Sequence, residues 1–85
     1  MLLVPPVAAS VPLRALRAIA AVASSGGVSR AAAALHQSPA AVSRAVQGAE
    51  DALGLALFER AARGMVPTPA GEILALRAGL SLIHI

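Results

Sequence analysis

Pro39, Ala40, Ala41 and Ser43 are small, and the residue that follows them, Arg44, is a long cation. No other stretch of this 85-residue sequence concentrates chemistry in the same way. A guanidinium fork can bond two acceptors on the edge of a guanine or clamp a phosphate. Small neighbours let the helix that carries the fork enter a duplex major groove about 12 Å wide, where bulky side chains would hold it off. Ser38 immediately before Pro39 is a helix cap followed by a first-turn proline, and the free amides of such a helix start favour phosphate. Gln47 lies one turn further along, on the outward face shared by Ser43 and Arg44. A second basic feature is the loop Arg60-Ala61-Ala62-Arg63-Gly64. An arginine at such a tip, Arg63, suits a narrow A·T-rich minor groove. Arg60 and Arg30 are candidates for phosphate contact, and Arg60 could equally pair with Glu59 or Glu50.

Each of these residues also has a plain structural role open to it. Arg44 could be a solvated charge, Ser38 only a cap, and Ser43 merely exposed. Glu50-Asp51 reads as a solvated helix face rather than an acid–base pair. His36 is a lone histidine in a turn with no second ligand near it. No nucleophile–base pair, paired-carboxylate site or phosphate-cradling glycine loop is visible. The expectation is no catalytic residue, no metal and no cofactor.

Composition points the same way. The chain is one small domain at most. It has no cysteine, so disulfides and thiolate metal sites are excluded. Much of its 58% hydrophobic content is alanine, which favours helix and buries little area. No apolar run is long enough, free of charge and proline, to span a bilayer, so no membrane role is expected. All seven cations are arginine. Residues 1–49 carry Arg14, Arg17, Arg30 and Arg44 with no acid. Residues 50–85 carry Arg60, Arg63 and Arg77 against Glu50, Asp51, Glu59 and Glu72. The balance is +4 against −1, within a total of +3. A basic front half suits a polyanionic partner.

The elements that must position these residues follow from spacing and punctuation. Residues 1–11, with Pro5 and Pro6, lack helical periodicity and read as a disordered leader. Leu13, Leu16, Ile19, Ala20 and Ala23 predict an apolar face on a first helix over 12–24, ended by Ser24-Ser25-Gly26-Gly27. Ser29 is the expected cap of a short second helix over 29–36, and His36-Gln37 is a tight turn. A third helix over 38–53 turns Val42, Val46, Ala49 and Leu53 inward and ends at Gly54. Leu55–Glu59 and Met65–Pro67 predict two short strands around the basic loop. Thr68-Pro69 repeats the cap-plus-proline device and starts a fourth helix over 68–80, striped by Ile73, Leu76 and Leu80. Two short helices across a tight turn, followed by a hairpin, form a winged helix-turn-helix: mainly α, with a three-helix core, a small β-hairpin wing and the start of a linker helix.

Leu13 to about Gly71 resembles the N-terminal domain of LysR-type transcriptional regulators. The resemblance runs in order through Leu13-Arg14-Ala15-Leu16-Arg17-Ala18-Ile19, Gly27-Val28-Ser29-Arg30-Ala31-Ala32 and Leu35-His36-Gln37-Ser38-Pro39-Ala40-Ala41-Val42-Ser43-Arg44. It continues through Glu50, Leu53-Gly54, Leu57-Phe58-Glu59-Arg60, Arg63-Gly64 and Thr68-Pro69-Ala70-Gly71. It implies a bacterial, cytoplasmic regulator that binds double-stranded DNA, with base contacts at Pro39, Ala40, Ser43 and Arg44 and a wing contact at Arg63. Many members carry glutamine where Pro39 stands and proline or serine where Ala40 stands. A bidentate adenine contact is then unavailable, and an apolar contact to a thymine methyl becomes the alternative. Ala49 in place of a more usual leucine implies thinner packing beneath the third helix.

The resemblance also implies that the fourth helix, through Ile73, Leu76 and Leu80, pairs with its counterpart. The full-length protein would then be a homodimer or higher homo-oligomer, and the fragment would associate weakly. The DNA-binding domain is expected over 12–67 and the start of the linker over 68–80, with the family's effector-binding domain absent. Leu80-Ser81-Leu82-Ile83-His84-Ile85 departs from the alanine–arginine character of the rest. It is what CTG TCT CTT ATA CAC ATC encodes, a string resembling a sequencing-library adaptor, so residues 81–85 are expected to be a non-native tail. Two rival expectations are a helical protein–protein module whose arginine face meets an acidic partner, and a fragment that does not fold stably alone.

Overall fold

The computed structural model describes residues 11–62 and 64–83, with side chains on the last helix as far as Ala78. Residues 1–10 of the leader expected over 1–11, Arg63, His84, Ile85 and the side chain of Leu80 lie outside the described residues. The elements run α1 (Leu13–Ser25), α2 (Val28–Leu35), α3 (Pro39–Leu53), β1 (Phe58–Ala61), β2 (Gly64–Pro67) and α4 (Pro69–Ile83). This is a mainly helical winged helix-turn-helix. Helix α4 continues through Ser81, Leu82 and Ile83, past the boundary expected at Leu80.

The three-helix core closes around Ile19 and Val22 of α1, Val42 of α3 and Leu57, the largest fully buried side chains. Fully burying a side chain of this kind contributes about 1.5–3 kcal/mol. Ala31 and Ala32, also buried, give α2 a thin inner face. Val42, Val46 and Ala49 face inward as expected. Between α1 and α3 a hollow of about 230 Å3 is lined by the small residues Ala15, Ala45, Gly48, Ala49 and Ala52 together with Pro12, Arg14 and Arg44. The thin packing inferred from Ala49 takes this form. Val11, the last residue of the expected leader, also lines the hollow and is buried.

Three local expectations are corrected. The inward face of α1 is Ala15, Ala18, Ile19 and Val22, and Leu13 is 57% exposed. The helix is turned so that alanines meet its neighbours, which lets the backbones approach. Ser29 does not cap α2. Gly27 holds that position in an extended conformation without a side-chain bond, and Ser29 is an exposed residue of the first turn. Strand β1 starts at Phe58 rather than Leu55, so Arg60 lies on a strand and not in the loop. The strands pair antiparallel, with Phe58 opposite Pro67 and Arg60 opposite Met65.

Candidate nucleic-acid interface

The turn that presents α3 is built from local chemistry. His36 closes α2 in the left-handed conformation, φ 57°, the one non-glycine residue with positive φ among the described residues. The amide of Gln37 donates to the carbonyl of Ala32 at 2.9 Å, so the chain reverses tightly. Ser38 then caps α3, its Oγ accepting from the amide of Ala41 at 3.1 Å, and Pro39 occupies the first turn. This device makes the helix start at a fixed residue: Pro39 has no amide hydrogen to leave unpaired, and the Ala41 amide is taken up by the cap.

On that helix Ala40, Ser43, Arg44 and Gln47 are exposed on one face, away from Val42, Val46 and Ala49, while Ser38 and Pro39 are exposed at the helix start, in the row of Val42 and Val46. Four residues of the expected set thus share one face, and the other two begin the helix beside it. Gln47 is not free-ended: its Nε2 donates to Oδ1 of Asp51 at 3.2 Å, one turn further on. Arg30 is exposed in the first turn of α2, and Arg60 is exposed on β1.

The wing is tied to the helices by backbone. The amide of Met65 donates to the carbonyl of Gly26, between α1 and α2, at 3.0 Å. Gly64, at φ 124°, sits so close to that carbonyl that an added Cβ would overlap it. Thr68 locks the far end of the hairpin. Its Oγ1 donates to the carbonyl of Ala56 at 2.7 Å and accepts from the amide of Gly71 at 3.1 Å, capping α4. Gly71 is buried, and a Cβ there would overlap the carbonyl of Leu57.

One residue in this frame was misjudged from sequence. Glu50 is not a solvated acid. It is partly buried, and its Oε2 accepts from the amides of Leu57 at 2.7 Å and Phe58 at 3.4 Å. It thereby fixes where the chain leaves α3 and enters the wing. A signal existed: a carboxylate in the last turn of a helix opposes the dipole and needs a donor elsewhere. Ile73 and Leu76 on α4 are 57% and 70% exposed, while Leu74 and Ala78 hold that helix to the core. Among the described residues no three His, Cys, Asp or Glu side chains gather as a metal site, and no helix is long and apolar enough to cross a membrane.

A capped, small-faced second helix across a tight turn, with a docked hairpin beyond it, defines a winged helix-turn-helix protein. Residues 13–72 match the model of the bacterial regulatory helix-turn-helix proteins of the lysR family, and the chain belongs to that family. Its relatives include the HTH-type transcriptional activator AmpR of Rhodobacter capsulatus, 43% identical over 63 residues, which cover 74% of this chain and 22% of that protein. The chain thus spans about a fifth of the length of the curated relatives it matches. Among solved structures it is similar to the BenM_DBD/catB site 1 DNA complex, at 33% identity and TM-score 0.80, covering 86% of this chain and 81% of that one. It is also similar to the CbnR_DBD–DNA complex, at 36% identity and TM-score 0.77, covering 85% of this chain and 83% of that one.

Proposed function

We propose that this chain is the DNA-reading module of a LysR-type transcriptional regulator. Helix α3 enters a major groove, and the hairpin reaches an adjacent minor groove through Arg63. The observation that carries this reading is the exposed, small start of α3 with Arg44 as its long donor. The acid-free sequence up to Ala49 supplies the attractive field. Two solved structures similar to this chain are DNA complexes by their own descriptions, which supports the same reading. Arg44 reads a base edge, and Pro39, Ala40 and Ser43 make close contact. Ser38 fixes the helix start, and Gln47 extends the face. Arg30 and Arg60 meet phosphate.

The action is non-catalytic binding, in the cytoplasm of a bacterial cell. Helix α4 begins the linker to the rest of the regulator and pairs with a second copy through Ile73, Leu76 and Leu80. Pairing sets two α3 helices on two half-sites. A salt titration tests the reading. Binding of the chain to a duplex should weaken log-linearly with salt, through counterion release. A duplex selected by the chain from a random pool should bind more tightly than random DNA. Absence of duplex binding at low salt would refute it, and tight binding to acidic peptides in its place would favour a protein–protein module.

A further inference from the structure

We propose that Arg14, on the first helix, seats a DNA phosphate beside the base edge that α3 reads. The inference rests on the DNA-reading function proposed above and adds a contact that neither the helix-turn-helix nor the wing contains. Arg14 and Arg44 come from different helices, yet both line one hollow of about 340 Å3, together with Gln37, Ala41 and Ala45. Gln37 is in the turn before α3, and Ala41 donates to the Ser38 cap, so the hollow lies at the leading end of that helix. Its described walls carry two guanidinium groups and one amide and no carboxylate. Two like charges brought to one concavity without an acid repel each other, and a phosphodiester removes that repulsion. Guanidinium and amide donors match its oxygens. Arg14 is exposed, so the core does not depend on its head group. Ala15 beside it is buried, which fixes the helix that carries it. With Arg44 turned to a base, Arg14 holds the strand next to it, and α1 thereby sets the depth at which α3 sits.

The test compares the unsubstituted chain with Arg14→Ala and Arg14→Lys on a random duplex and on a duplex selected by the chain, across a salt series. Arg14→Ala should weaken both by the same factor and lower the slope of log affinity against log salt by about 0.9, the value for one phosphate. Arg14→Lys should retain the slope. A duplex scanned with single neutral methylphosphonates should show a position whose neutralisation weakens the unsubstituted chain but not Arg14→Ala. An unchanged slope, or a loss confined to the selected duplex, would overturn the proposal while leaving the DNA-reading function standing. If the unsubstituted chain binds neither duplex, the function itself fails and this inference with it. Unfolding curves for the variants separate loss of contact from loss of fold.

Discussion

Helices α3 and α4 are the same length and start with the same device, a hydroxyl residue followed by proline, yet they distribute size in opposite ways. On α3 the larger apolar residues, Val42 and Val46, face the core, and the exposed face starts with Pro39, Ala40 and Ser43. On α4 the small residues Gly71 and Ala78 are buried with Leu74, and the larger Ile73 and Leu76 are exposed. A small exterior on α3 suits a groove that must be entered. A bulky apolar exterior on α4 suits a surface that must be covered. The inner faces differ accordingly: α3 is held by side-chain burial, whereas α4 adds to the burial of Leu74 a direct approach to backbone at Gly71.

The largest effect should come from breaking that backbone contact. Gly71→Ala places a methyl group against the carbonyl of Leu57, an atom with no rotamer by which to move away. We expect destabilisation of about 1–3 kcal/mol, the usual range for overpacking, with strain shared by the Thr68 cap. Thermal unfolding measures it. A variant as stable as the parent would mean that α4 stands further from the wing than the structure has it.

An effect of similar size, on binding rather than on folding, should come from the exterior of α3. Arg44→Ala should weaken binding to the selected duplex by about 1–3 kcal/mol and leave unfolding unchanged, because the side chain is exposed. Equal losses on selected and random DNA would make Arg44 a phosphate contact. No loss on either would remove it from the interface.

The same contrast explains what could be read from the sequence. The turn and the start of α3 were legible because their causes are local: Ser38-Pro39 sets the helix start, and Val42, Val46 and Ala49 recur at helical spacing. The face of α1 was misread because a stripe drawn through Leu13 and Leu16 weights size, whereas the folded chain buries Ala15 and Ala18. Alanine carries little hydropathy, so a seam of small residues leaves a faint pattern. The attachment of α4 through Gly71 was illegible for the same reason. Glu50 was missed because its donors, Leu57 and Phe58, lie beyond the end of the helix that carries it. Ser29 was expected as a cap because serine suits that position, but Gly27 reaches the extended backbone first and starts α2 two residues earlier. Base-contact roles on α3 rest on the resemblance and on exposure together, since size and spacing alone describe any helix with a small outer face.

The smallest effect on stability, and the most direct probe of the exterior of α4, should come from Ile73→Ser combined with Leu76→Ser. Both side chains are more than half exposed, so neither substitution opens a core cavity. Surface changes of this kind usually alter stability by no more than about 0.5 kcal/mol. If the exposed stripe is the face that pairs with a second copy, the double variant should unfold like the parent at low concentration. At high concentration it should remain monomeric where the parent begins to associate, as sedimentation would record. The comparison with α3 sharpens the expectation on DNA. Each copy keeps its own reading helix, so affinity for a single half-site should be unchanged, while the gain from placing two half-sites in one duplex should fall. A double variant that loses stability at low concentration would show that Ile73 and Leu76 support the fold of a single copy, and the two helices would then be alike. An unaltered gain from the second half-site would assign pairing to another surface.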